Sequence, residues 1–415
     1  MIKKEIKEGI SLYMIQDKKF KAFRACVLLH RPLEKSEVTK NTLLVSVMQR
    51  QSENYPSSKA ISEELENMYG AGLIARASKY GERQILKIGV KTVSDSAAPG
   101  NFDKAMKLAM DLVLNAGTNE SFSEEIVETE KKNIADAISA QKNDKRSYSV
   151  LRTQEEMCKE EPYGINPLGY IEDVKKLDAP SLYSHYKKIL AESRIDIIFT
   201  GNFDENQAQK AAELFAKELS PRKSEKIEEK NRFTVNEVKT VTDRMDVTQG
   251  KLCMGFRCPE NTKIERYPAV IVYNTVFGGS ATSKLFENVR EKLSLCYYVS
   301  SSIDRLKEIM IIKSGVEFDS FEKAYDEILL QQKNMENGNF SDEEILAAKK
   351  QLINAYQSSY DGINAMEEYY TMQILLGTDV AIDEMTKKIQ SVTKEEIKEV
   401  ASNMKLDTIY RLENE

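Results

Sequence analysis

The sequence predicts an α+β protein built from two homologous modules, and three features of the chain support this prediction. At 415 residues the chain is too long to fold around one ordinary hydrophobic core, so two or more domains are expected. Two pairs of segments resemble each other in the same order, 121–141 with 339–359 and 170–190 with 381–401. Such a repeat indicates a duplicated module of about 200 residues. Strand and helix patterns do not alternate regularly within either half, which favours helices packed on a mostly antiparallel sheet.

The elements of the first module follow in order. The start of the chain, MIKKEIKEGISLYMI, has a short and interrupted apolar stretch, so we expect a first strand and not a signal peptide. The segment SFSEEIVETEKKNIADAISAQ (121–141) has the pattern of a long helix, with Ser123 as its expected N-cap. RIDIIFTGNF (194–203) has the pattern of a terminal strand, and a helix pattern follows it.

A charged run separates the two modules. SPRKSEKIEEKNR (220–232) lacks apolar periodicity, and the sequence predicts a linker over residues 221–232. Strand patterns begin again directly after this run. We therefore expect one module at 1–220 and a second at 233–415, which together form a clamshell.

Composition argues against several classes of protein. The formal net charge is −6 with both signs mixed along the chain, so we expect no nucleic-acid partner and no anionic membrane. No apolar run approaches the ~18 residues of a membrane span. The five cysteines are scattered and form no disulfide framework, which indicates a reducing compartment and a cytoplasmic location.

The common catalytic motifs are absent. The chain contains no GxSxG, Walker loop, GxGxxG or CxxC pattern. It has two histidines, His30 and His185, far apart and without a motif around either, so we interpret both as structural. GGSATS (278–283) precedes a helix, but it lacks the spacing and lysine of a phosphate loop and is better interpreted as a turn with a helix cap.

One segment of the second half carries a more specific pattern. FGGSATSKLFENVREKLSLCYYVSSS (277–302) resembles the signature of the C-terminal half of the M16 metallopeptidases, the family of insulinase, pitrilysin and mitochondrial processing peptidase. TGNF (200–203) and EEPYGINPLGYIEDVKKLDAPSLYSHYKKIL (160–190) resemble further segments of that family. The resemblance implies two LuxS/MPP-like modules, each an antiparallel sheet packed with helices.

The zinc site of the family has no counterpart here. Active members carry HxxEH on a helix, in which two histidines bind zinc and the glutamate activates water, and a later glutamate is the third ligand. HxxEH occurs nowhere in this chain. The resemblance places Thr42, Val45 and Ser46 at the HxxEH positions and Ala137, beside Asp136, at the third ligand. We therefore expect no metal and no catalytic residue on this chain.

The resemblance also implies a substrate-binding pair. In active members an arginine and a tyrosine of the C-terminal signature help to hold the peptide at the zinc, and these map to Arg290 and Tyr297. An arginine supplies fixed donors for a carbonyl or oxyanion, and a tyrosine adds one hydroxyl donor. Tyr298 is adjacent on the same predicted strand, so only one of the two tyrosines can face a chamber. Cys296 and Leu293-Ser294 depart from the family pattern, which often has Ala and Arg-Gly at these places.

Three hypotheses for the function follow. The first is the zinc-less subunit of a heterodimeric M16-like peptidase, inactive alone, whose HxxEH-bearing partner brings zinc while Arg290 and Tyr297 position the peptide. The second is a non-enzymatic peptide-binding or scaffold protein, for which a homodimer is one arrangement, that keeps the fold without the chemistry. The third is a peptidase with a different mechanism, such as a metal site made of Asp and Glu alone, which the sequence disfavours because no carboxylate cluster has suitable spacing.

Overall fold

The computed structural model of the chain describes residues 1–223, 227–259 and 265–415. Residues 224–226 of the predicted linker lie outside the described residues. The strands are β1 Ile2–Lys7, β2 Ile10–Gln16, β3 Ala22–Pro32, β4 Gly72–Tyr80, β5 Arg83–Val93, β6 Arg194–Gly201, β7 Lys239–Arg244, β8 Gly250–Arg257, β9 Cys296–Asp304, β10 Ile309–Val316 and β11 Lys405–Glu413.

The α-helices fall mainly between and after the strand pairs of each half. They are α1 Val38–Met48, α2 Ser58–Asn67, α3 Asn101–Leu114, α4 Glu124–Ala140, α5 Lys145–Met157, α6 Ile171–Val174, α7 Ala179–Glu192, α8 Glu205–Lys217, α9 Tyr267–Asn274, α10 Phe321–Glu336, α11 Asp342–Ser358, α12 Ile363–Leu376, α13 Ile382–Ser391 and α14 Lys394–Asn403. Within the described residues, no helix combines the length and the apolar character that crossing a membrane requires.

Two compact units make up the chain, and each is discontinuous in sequence. Unit 1 comprises residues 1–139, 165–228 and 361–375. Unit 2 comprises residues 140–164, 229–360 and 376–415. The units therefore differ from the contiguous modules 1–220 and 233–415, because each contains a helical segment from the other half of the sequence.

Each unit has one mixed sheet with helices against it, so the α+β prediction is confirmed. The strand order is β1-β2-β6-β3-β5-β4 in unit 1 and β7-β11-β8-β10-β9 in unit 2. Neighbouring strands are antiparallel except for one parallel pair in each sheet, β2 with β6 and β11 with β7. The edge strands are β1 and β4 in unit 1, and β7 and β9 in unit 2.

The long helices of the predicted repeat correspond in length and in capping. Helices α4 and α11 each have 17 residues. The Ser123 hydroxyl accepts the Ile126 N–H at 3.4 Å, and the Ser341 hydroxyl accepts the Glu344 N–H at 3.2 Å. Both serines satisfy a backbone donor that the first helical turn leaves unpaired.

Because side chains alternate along the central strands, one face of each sheet packs against the main core of its unit. The other face packs against the helix that comes from the other half of the sequence, α12 in unit 1 and α5 in unit 2, which we call the transferred helix. On β3, Phe23, Ala25, Val27 and Leu29 belong to the main core of unit 1, whereas Arg24 and Cys26 approach Glu367 of α12. The same alternation occurs on β8, where Leu252, Met254 and Phe256 face the main core of unit 2. Successive strand residues point to opposite faces. The apolar residues at alternate positions therefore form one packing surface, and the residues between them form the other.

The face of β8 that points away from this core packs against α5. A Cβ added to Gly255 would lie 2.6 Å from the Met157 sulfur, closer than any side chain tolerates. Glycine at this position therefore leaves room for the Met157 side chain against the strand. Met157 in turn packs with Ile309 and Ile311 of the neighbouring strand β10.

The described parts of the predicted linker pack against the units and do not form a free tether. The Arg222 N–H donates to the Glu8 carbonyl at 3.1 Å, and the Arg83 guanidinium donates to the Ile227 carbonyl at 2.7 Å. Asn231 donates to Glu308 at 2.9 Å. Charge and missing periodicity indicated a linker, yet a chain without periodicity can still be fixed by individual hydrogen bonds.

Candidate functional site

The three HxxEH-equivalent positions lie on α1, where they have structural roles. Val45 is buried in the main core of unit 1. The Thr42 hydroxyl donates to the Val38 carbonyl at 3.0 Å, and the Ser46 hydroxyl donates to the Thr42 carbonyl at 3.2 Å. The helix backbone therefore takes up the hydroxyl protons at two of the positions, and the third has no polar atom.

Ala137, the position of the third ligand, is exposed on α4, as is the neighbouring Asp136. A zinc site needs imidazole, thiolate or carboxylate donors. The residues at the four equivalent positions supply none, so they do not fit a zinc ion. More generally, the residues that the structure describes contain no group of three or more His, Cys, Asp or Glu side chains arranged to hold a metal.

A buried polar network fills the space around the N-terminal half of α1. His185 Nε2 lies 2.7 Å from Asn41 Oδ1, and Asn41 Nδ2 donates to Gln84 Oε1 at 2.9 Å. Gln84 Nε2 lies 3.3 Å from the Thr42 hydroxyl. Burial lowers the pKa of His185 to about 4, so the ring is neutral at physiological pH. This agrees with the structural interpretation of His185.

Arg290 lies on a π-helix of seven residues, Phe286–Lys292, that leads into the turn before β9. Its side chain is 41% exposed, and the guanidinium carbon lies 4.6 Å from the centre of the Phe286 ring. The Arg290 Nε atom is 3.6 Å from a carboxylate oxygen of Glu291, too far for a hydrogen bond. The ring fixes the side chain on one side while its N–H donors remain available to a ligand.

Tyr297 lies near the start of the edge strand β9 and is 61% exposed. Its hydroxyl donates to Glu317 Oε1 at 2.5 Å, and this hydrogen bond raises the pKa of Tyr297. Glu317 follows β10 directly, so strand pairing brings the two residues together. No sequence motif pointed to Glu317. Its position directly after a strand would have indicated the contact with Tyr297 only if the pairing of β9 with β10 had been known.

Tyr298 points the other way, as strand alternation requires. It is partly buried, with the guanidinium carbon of Arg146 4.2 Å from the centre of its ring. Burial raises the pKa of Tyr298. The structure therefore makes Tyr297 the accessible tyrosine of the pair.

The turn itself departs from an ordinary backbone. Ser294 has a φ of 50°, in the left-handed region that favours glycine. The Leu295 N–H donates to the Val289 carbonyl at 2.9 Å, which ends the helix. Leu293, in the same turn, is half exposed. A serine thus adopts the left-handed conformation at the position where the family pattern often has glycine. The turn between Arg290 and Tyr297 that the motif implies is therefore present with a serine in place of glycine.

Comparisons with known proteins agree with this description. Residues 176–352 match the family described as the peptidase M16 inactive domain. The probable inactive metalloprotease YmfF of Bacillus subtilis is 32% identical over 408 residues, which is 97% of this chain and 96% of that protein.

Solved structures with the same fold include a conserved protein from Enterococcus faecalis, with a TM-score of 0.93 and 28% identity over 100% of this chain and 98% of that one. A peptidase M16 inactive domain from Pseudomonas fluorescens has a TM-score of 0.84 and 15% identity, with 100% of this chain and 98% of that one covered. The second similarity concerns the fold alone.

Proposed function

This chain belongs to the M16 peptidase family as a homologue of its inactive metalloproteases, and from this premise we propose that it is the zinc-less subunit of a two-chain peptidase. One observation carries the proposal. Arg290, on the π-helix before the edge strand β9, and Tyr297, near the start of that strand, are both accessible, although the zinc-site positions on α1 and α4 have no metal donor. A partner chain with HxxEH would supply the zinc and the water-activating glutamate.

The edge strand β9 supports a role in binding extended peptides. Within the described residues, β9 pairs with β10 alone, so its other edge has unpaired backbone groups. Such an edge can accept a peptide as an additional strand. The exposed apolar side chains of Leu293, Tyr297 and Phe318 lie before, on and after this strand pair, where they would contact the side chains of a bound peptide.

Arg290 would hold a carbonyl of the scissile region. Its guanidinium offers several fixed N–H donors, which suit a carbonyl or a developing oxyanion. The family resemblance implies that the Tyr297 hydroxyl donates a hydrogen bond to the peptide. Here that hydroxyl already donates to Glu317. Its oxygen would accept a peptide N–H while the Glu317 bond persists. Together the two side chains would bind one peptide unit through its carbonyl and its N–H.

The test combines the purified chain with the HxxEH-bearing M16 chains of its own organism and measures hydrolysis of an unfolded fluorogenic peptide. We expect a near one-to-one complex and hydrolysis by the complex alone. Arg290→Ala should lower kcat by about 100- to 1,000-fold, the usual cost of losing one oxyanion-type donor.

The matched control is Lys292→Ala, which removes an exposed cation from the same helix. Equal activity of Arg290→Ala and Lys292→Ala in an active complex would contradict the role of Arg290. Failure of every zinc-bearing chain to bind would contradict the two-chain peptidase itself.

One observation favours the alternative of a peptide-binding or scaffold protein without peptidase activity. The bond from Tyr297 to Glu317 removes the hydroxyl donor expected of a transition-state group. Under this alternative the chain alone, as a homodimer or a monomer, binds extended peptides, and Arg290→Ala weakens binding without affecting hydrolysis by any partner. Peptide affinity measured on the chain alone therefore separates the two functions.

A further inference from the structure

The helical face of unit 1 has a groove that the proposed peptidase role does not use. It has a volume of about 900 Å³ and lies between α3, the C-terminal end of α7 and α8. This volume is in the upper part of the range of about 300–1,000 Å³ that is usual for small-molecule sites. All of its lining residues belong to unit 1.

The floor of the groove is apolar. Met106 and Met110 come from α3, Leu190 comes from α7, and Leu214 comes from α8. Leu214 is 49% exposed, so a ligand in the groove can reach it. A hydrocarbon chain that covers these side chains would remove apolar surface from water, which favours binding.

A buried cation lies at one end of this groove. Arg222 is only 5% exposed, and its guanidinium donates to the carbonyls of Leu190 at 2.5 Å and Ser220 at 3.0 Å. No carboxylate pairs with it among the described residues, and burial lowers the pKa of Arg222. Carbonyl oxygens satisfy its N–H donors without carrying a negative charge, and a buried cation held in this way favours an anion nearby.

The rim is basic as well. Lys107, Lys187 and Lys210 are exposed on three different helices that line the groove. The carboxylates of the lining are Asp103, Glu218 and Asp111. Asp111 is committed to the protein, since Ser52 and Asn54 donate to it at 2.6 Å. With four cations, Arg222 and the three lysines, against three carboxylates, the lining has a net charge of +1 on a chain whose net charge is −6, and this local excess of positive charge favours an anionic ligand.

We propose that this groove binds a free single-chain anionic amphiphile, with its carboxylate or phosphate head near Arg222 and the rim lysines and its hydrocarbon chain along the methionine and leucine floor. The proposal does not depend on the two-chain peptidase. The ligand is a monomer in solution, because a groove of this volume encloses a chain and not the surface of a bilayer.

The test is isothermal titration calorimetry of the purified full chain with dodecanoate and dodecyl phosphate below their micellar concentrations. Dodecanol and dodecyltrimethylammonium have the same chain without the anion and serve as ligand controls. We expect saturable one-to-one binding of the two anions, at least tenfold tighter than that of either control.

Leu214→Glu is the main variant, because it places a carboxylate on the floor at an exposed position and leaves the core of unit 1 unchanged. We expect it to weaken binding of dodecanoate at least tenfold. Leu330→Glu makes the same change at a leucine of similar exposure on α10 and should leave the affinity unchanged. The double variant Lys107→Glu/Lys210→Glu should weaken binding of the anions and remove their preference over dodecanol. Thermal unfolding of each variant confirms that it is folded.

Four binding results would overturn the proposal. They are the absence of saturable binding, equal binding of the cationic amphiphile, equal affinity of Leu214→Glu and Leu330→Glu, and binding to phosphatidylglycerol vesicles without binding of monomeric dodecanoate. Occupation of the groove by a helix of a partner protein, with no amphiphile bound, would overturn it too.

Discussion

At the scale of single residues, both sheets bury charged side chains in ion pairs. Glu367 on α12 is 1% exposed and accepts hydrogen bonds from Arg24 at 2.6 and 3.1 Å and from Lys87. In unit 2, Glu161 pairs with Arg257 at 2.7 Å and with Lys307 at 2.5 Å. Each sheet thus carries buried cations that a carboxylate on a transferred segment neutralises.

Glu367→Gln should destabilise the protein by about 3–5 kcal/mol, because the amide leaves two buried cations without a counter-charge. The control is Glu368→Gln. That neighbouring carboxylate is 48% exposed and pairs with the exposed Arg76, so its loss should cost less than about 1 kcal/mol. Urea denaturation followed by circular dichroism measures both values. Equal losses in the two variants would show that the buried carboxylate contributes no more than a surface pair.

Stability should fall in mild acid because of His185. Burial holds the pKa of His185 at about 4 in the folded protein, below the ~6.5 of an unfolded chain. The unfolded state therefore binds the proton first, and the folded state loses up to about 3 kcal/mol as the pH falls from 6.5 to 4.

His185→Gln removes this titration. The difference in unfolding free energy between the natural protein and the variant, measured by urea denaturation at several pH values, should shrink as the pH falls from 7 to 4. A difference that stays constant over this interval would mean that His185 is not held neutral by the fold.

At the scale of elements, the connection from the Arg290 helix to β9 is the most unusual part of the chain. A π-helix leads to a serine with a positive φ, and the edge strand begins two residues later. π-helical turns occur often at functional sites. The motif identified the residues of this segment, but the widened helix and the strained turn depend on backbone geometry that the motif does not encode.

Ser294→Gly should stabilise the protein by up to about 1 kcal/mol, because glycine adopts a left-handed conformation without strain and this relief exceeds its entropic cost. The comparison is Ser302→Gly on β9, an exposed serine without a positive φ, which should destabilise by about 0.5–1 kcal/mol. Thermal unfolding of the two variants provides the measurement. Destabilisation by Ser294→Gly would show that the serine side chain matters more than the turn.

At the scale of the whole molecule, the two halves of the sequence exchange equivalent helices. Helix α5 belongs to unit 2 and α12 belongs to unit 1, and each follows the long repeated helix of its own half. Each transferred segment also brings apolar surface, such as Met157 against Ile309 and Ile311. Neither half of the sequence therefore contains a complete unit.

We expect chains 1–220 and 233–415 to fail to fold cooperatively when produced separately and to form a stable one-to-one complex when produced together. The first lacks Glu367 for its buried cations, and the second lacks Glu161 and the apolar face of α5. Size-exclusion chromatography and thermal unfolding of each chain and of the mixture provide the measurement. Cooperative unfolding of either half alone would refute this expectation.

The sequence by itself determined the fold class, the duplication and the family. Apolar periodicity and a repeated order of segments are properties of the chain, and they imply helices on two sheets in any arrangement that buries the apolar faces. The absence of zinc ligands followed as directly, because Thr42, Val45, Ser46 and Ala137 have no imidazole or carboxylate. The motif also named Arg290 and Tyr297.

Only the tertiary structure decided the contacts between distant parts of the chain. It showed that α5 and α12 change units, that Tyr297 and not Tyr298 is accessible, and that the Tyr297 hydroxyl donates to Glu317. It also showed that Arg222 of the predicted linker is buried beside an apolar groove. These features depend on strand pairing and on which helix covers which face, and residues far apart in sequence leave no local pattern from which such pairing can be derived.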